Sequence, residues 1–90
     1  MEKVNAQHIL VNHEHEAQDL LKKVSGGESF DQLAKDFSLC PSGQTGGNLG
    51  EFGKGQMVKP FETAAFDLEM NQVSEPIKTQ FGYHLIKRIG

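Results

Sequence analysis

The chain has 90 residues, 37% hydrophobic and 23% charged, with a formal net charge of −3. That length makes one small domain, residues 1–90, with a thin stability margin, and the acidic balance argues against nucleic acid as the main partner, since phosphate binding leaves a basic patch. No apolar run exceeds the length of Ile9-Leu10-Val11, so membrane insertion is not expected. No charged-then-apolar leader follows Met1, and the lone Cys40 admits neither an internal disulfide nor a Cys-x-x-Cys site. A cytoplasmic monomer without metal or cofactor is the expectation.

Residues 4–11, VNAQHILV, predict a first strand, rich in β-branched and aliphatic side chains. Ala17, Leu20, Leu21 and Val24 recur at the spacing of one helical face, and Gly26-Gly27 closes that helix. Ser29 with Gln32 reads as a capping box for a second helix, whose face carries Phe30, Leu33, Ala34 and Phe37. Residues 40–47, CPSGQTGG, are turn-forming throughout. Leu49 to Phe52 predicts a short strand, and Pro60 suits the first turn of a further helix with Phe61, Ala64, Ala65 and Leu68 on one face. Asn71-Gln72 marks a turn. Val73 to Lys78 predicts a strand that tolerates Pro76 only at a sheet edge, and Phe81 to Ile89 predicts the last strand, close enough to its predecessor to pair as a hairpin. The order implies an α+β domain with helices packed on a small antiparallel sheet.

Few residues stand out chemically. His8 and His84 each interrupt an apolar strand; alternation places His8 with Ala6 and Leu10, and His84 with Gly82 and Ile86. If the first and last strands are neighbours, the two rings meet on one face, either as a hydrogen-bonded core pair or as part of a site. Cys40 precedes Pro41, which biases its backbone toward extended. It reads as a buried inert thiol or, beside two histidines, as a nucleophile. Thr79 is a turn hydroxyl before the last strand. Leu49, Met57, Phe61 and Phe81 are core residues or, with a thioether beside aromatic rings, an adaptable pocket wall. Gly53-Lys54-Gly55 lacks the Ser or Thr and the glycine spacing of a phosphate loop. His13-Glu14-His15 has no identifiable partner ligands, which leaves it as solvated surface.

Residues 46–61, GGNLGEFGKGQMVKPF, are punctuated by glycines that suggest tight bends, and the string resembles the signature of the parvulin family of peptidyl-prolyl cis-trans isomerases. His8-Ile9-Leu10-Val11 resembles the family's first strand and Phe81-Gly82-Tyr83-His84 its last, so the resemblance covers about residues 4–89. It implies a β-α3-β-α-β2 fold, a four-stranded antiparallel sheet packed with about four helices. It also implies catalysis of X-Pro rotation in unfolded or flexible polypeptides as a folding aid. The carried-over site comprises His8, Cys40, Thr79 and His84 around the rotating bond, with Leu49, Met57, Phe61 and Phe81 holding the proline. Relatives with Asp at the Cys40 position argue against a covalent route. Phosphate-directed parvulins carry a basic cluster after the first strand; here that loop reads Asn12-His13-Glu14-His15-Glu16, and its acidic groups would repel a phosphorylated residue before proline. Domains of this family also occur inside larger secreted or membrane-anchored chaperones. The rival reading is a non-catalytic peptide-binding module with the same fold.

Overall fold

A computed structural model describes residues 2–90. The elements run β1 (Lys3–Val11), α1 (Glu14–Ser25), α2 (Phe30–Phe37), a 3-10 turn (Pro41–Thr45), β2 (Asn48–Gly53), α3 (Lys59–Asp67), β3 (Ile77–Thr79) and β4 (Gly82–Arg88). The α+β reading holds, but the described residues form three α-helices and a 3-10 turn rather than four helices. Pro41 and the glycines after it restrict this stretch to short-range bonding: Gly43 N–H reaches the Cys40 carbonyl and Gly46 N–H the Gly43 carbonyl.

The sheet order is β2-β1-β4-β3, all antiparallel, with β1 and β4 in the centre. Its period-two alternation builds two cores. Ile9, Val11 and Leu85 face α1 and α2, packing on Ala17, Leu20, Phe30 and Leu33. Val4, Ala6 and Ile86 face α3, packing on Phe61, Ala65 and Leu68. His8 and His84 fall in register on the α3 face, through the Leu10–His84 and His8–Ile86 pairs.

Local details depart from expectation. Ser29 Oγ accepts the Gln32 N–H at 3.3 Å, but the Gln32 side chain turns to Asp36, so only half the box forms. Phe37 is exposed rather than packed, with Lys23 Nζ 5.0 Å from its ring centre. The strand expected from Val73 begins only at Ile77; Val73 makes a single bridge to Lys87. Pro76 has no N–H to donate, and the Ser74 hydroxyl replaces a backbone acceptor for the Ile86 N–H at 3.0 Å. β3 lies at the sheet edge and forms the expected hairpin with β4.

One glycine fixes the site's floor. Gly47, at φ 79°, donates its N–H to the Ser42 carbonyl while its own carbonyl receives the His8 N–H at 2.9 Å. A Cβ there would run into the His8 backbone. The 3-10 turn is thereby pressed against β1.

Candidate active site

His8 and His84 meet on the α3 face with their Nδ1 atoms 3.1 Å apart. Both are buried, at 5% and 4% exposure. Phe61 stands edge-on to both rings, with centroids 5.6 Å from His8 and 5.2 Å from His84. Burial, reinforced by His84, lowers the His8 pKa from 6.5 to about 4; burial lowers that of His84 as well. Both rings are therefore neutral at pH 7.

Two neutral imidazoles joined through Nδ1 need one proton between them, and a hydroxyl flanks the pair on each side. Thr79 Oγ1 accepts the Phe81 N–H at 3.2 Å and lies 2.7 Å from His84 Nε2. With that hydroxyl proton given to Nε2, the His84 proton sits on Nδ1 and is donated to His8 Nδ1. The His8 proton is then on Nε2, 3.1 Å from Ser42 Oγ. Ser42 in turn donates to Cys40 Sγ at 3.3 Å. The assignment runs head to tail from Thr79 through His84, His8 and Ser42 to Cys40, and every donor finds an acceptor.

Above this chain lies a cleft of about 440 Å³. Leu49 comes from β2, Met57 from the loop before α3, Phe61 from the first turn of α3, and Phe81 from the β3–β4 turn. His8, His84 and Cys40 complete its polar side. Phe61 is 3% exposed and also belongs to the core, whereas Phe81 is 59% exposed. Of the expected site residues only Thr79 is set back from the cleft, reaching it through His84.

Sequence reasoning missed Ser42, Leu10, Gln56 and Val58, the last three of which also line the cleft. Leu10 was readable from its period-two relation to His8. Nothing in the sequence separates Ser42 from an ordinary loop serine, because its role depends on a 3-10 turn folding back onto β1.

This geometry coincides with a family-wide match: the rotamase family, described as the PPIC-type PPIASE domain, matches residues 5–90. The chain belongs to the parvulin-type peptidyl-prolyl isomerase family. It is 51% identical over 86 residues to a foldase protein PrsA of Geobacillus sp. strain WCH70, covering 94% of this chain and 31% of that protein. A crystal structure of the peptidylprolyl isomerase PrsA from Bacillus anthracis superposes with a TM-score of 0.96 at 45% identity, over 98% of this chain and 41% of that one. The solution structure of NmPin, the parvulin of Nitrosopumilus maritimus, matches over 100% of this chain and 98% of its own, with a TM-score of 0.90 and 52% identity. The chain thus spans about a third of the length of its PrsA relatives and nearly all of a free-standing parvulin.

Proposed function

We propose that this parvulin domain accelerates X-Pro rotation non-covalently in unfolded or flexible polypeptides, as a folding aid and without preference for a phosphorylated residue before proline. The observation that carries the reading is an apolar cleft, with Phe61 edge-on, closed on one side by a neutral hydrogen-bonded histidine pair.

The chemistry required is small. An X-Pro amide rotates over a barrier of about 20 kcal/mol, and a thousandfold acceleration needs only about 4 kcal/mol of it removed. The twisted amide has lost resonance and charge separation, so an apolar surround favours it over either planar isomer, which makes binding catalytic. Met57, Phe61 and Phe81 grip the proline ring; the preceding carbonyl turns near Cys40. With Ser42 donating to Sγ, the Cys40 S–H remains free to donate weakly to that carbonyl. Thr79, His84 and His8 hold this polar edge in one protonation pattern. Bond rotation requires no nucleophile, metal or nucleotide.

Among the described residues no Lys or Arg lines the cleft, and the loop after β1 carries Glu14 and Glu16. Both support unphosphorylated substrates. A working monomer in a cytoplasmic setting, which the lone cysteine suits, completes the proposal. The test is cis-trans exchange of Ala-Xaa-Pro-Phe peptides by NMR with catalytic protein, beside a phosphoserine-Pro peptide. Faster exchange of the unphosphorylated peptide supports the reading; binding shifts without acceleration leave a peptide-binding module.

A further inference from the structure

Met57 and Gln56 reach the cleft from residues 54–58, a loop without helix or strand of its own whose tip, Lys54 to Gln56, is exposed. Such a segment needs something to hold it if Met57 is to form a defined wall. One hold is internal: Gln56 Oε1 accepts the Gly53 N–H at 2.6 Å. The other comes from Glu62 on α3, whose carboxylate Oε1 accepts the Gly55 N–H at 2.6 Å.

Glu62 is 7% exposed, an unusual place for a carboxylate. Its other oxygen lies 3.4 Å from Lys59 Nζ, but that lysine is largely solvated, so the pair contributes little. The short bond from Gly55 is the stronger interaction, because an ionised acceptor roughly doubles a hydrogen bond's strength. It also holds the Glu62 carboxyl below the ordinary carboxylate range. Glu62 directly follows Phe61, so one turn of α3 carries both the helix-borne wall of the proline pocket and the group that tethers the loop-borne wall.

Resting on the isomerase reading above, we propose that Glu62 is a positioning residue for X-Pro isomerisation: its carboxylate clamps Gly55 and thereby seats Met57 opposite Phe61. Gly55 is exposed, so its N–H can turn to water once released. Losing the clamp therefore loosens one wall of the cleft without unfolding the domain.

Glu62→Leu removes the acceptor at similar bulk, and Glu62→Gln restores a neutral one. The expected result is a roughly tenfold loss of kcat/KM for Glu62→Leu at near-native thermal stability, largely recovered in Glu62→Gln. The loss should be non-additive with Met57→Ala, because both act on the same wall. Full activity in folded Glu62→Leu, or additive losses in the double variant, overturns the proposal. Independently of any variant, the Gly55 amide of the wild-type protein should exchange slowly with solvent despite its exposed position; free exchange also overturns it. A wild-type protein that does not accelerate X-Pro exchange sinks the isomerase reading and with it the catalytic role of Glu62, whereas Gly55 protection still decides whether the clamp exists.

Discussion

His8 Nδ1 and His84 Nδ1 are buried 3.1 Å apart with their rings inclined at 19°. This contact is attractive only when one nitrogen carries a proton and the other does not. Two charged rings would each present a proton there and repel. The contact therefore excludes a doubly charged pair, and the head-to-tail arrangement from Thr79 to Ser42 gives the shared proton one direction.

That direction is measurable. Long-range proton–nitrogen NMR of the imidazoles should find His84 protonated on Nδ1 and His8 on Nε2. Thr79→Val removes the hydroxyl at nearly constant shape, leaving His84 Nε2 without its donor. It should mix the tautomers and lower kcat/KM about tenfold. Unchanged tautomers with full activity would make Thr79 dispensable.

Acid should weaken the fold before the carboxylates respond. The His8 pKa falls from 6.5 to about 4 on folding, so between those values the unfolded chain binds more protons and stability drops as pH falls. The contribution is complete above pH 6.5 and amounts to roughly 3 kcal/mol, lost by about pH 4. Lowered protonation of His84 acts in the same sense. Chemical denaturation at pH 7 and pH 5.5 should show the decline, and a His8→Gln variant should show less of it. An equal slope in both proteins would contradict the assignment.

Cys40 should be replaceable. Cys40→Ser and Cys40→Asp keep a polar group at the cleft and should retain activity within about tenfold, whereas a thiol-dependent enzyme would lose all of it. Activity abolished by Cys40→Ser in a folded protein would revive the nucleophile.

The turn that carries Cys40 and Ser42 depends on Gly47. Gly47→Ala places a Cβ against the His8 carbonyl at a φ of 79°, and should destabilise the domain by roughly 3 kcal/mol or more. A native-like unfolding midpoint for this variant would show that the turn can move away from β1.

Most of the architecture was legible because it rests on periodicity. The 3.6-residue faces of α1, α2 and α3 and the alternation in β1 and β4 follow from which side chains are apolar. The faces of His8 and His84 came with them, and the neutrality of the pair follows from burial. The short reach of β3 was hidden because Ser74 substitutes a hydroxyl for a backbone acceptor, and the 3-10 turn because turn-rich sequence gives no period. Phe37 matched a helical face yet sits outside, since the core is already filled by Phe30 and Leu33. The function of Ser42 arises from a contact between segments distant in sequence, and that of Glu62 from a loop folding back onto α3, neither of which a local pattern reports.

The structure also changes how the proline pocket is best probed. Phe61 is both pocket wall and core, so Phe61→Ala should cost about 3–5 kcal/mol of stability, a large share of what a small domain possesses. Met57, half-buried at the cleft, is the cleaner probe. The decisive measurement is therefore NMR exchange of an unphosphorylated Ala-Xaa-Pro-Phe peptide with catalytic amounts of wild-type protein and of Met57→Ala. The account predicts clear acceleration by the wild type and a roughly tenfold or greater loss in the variant. Peptide binding with unchanged exchange, or acceleration indifferent to Met57, would contradict it.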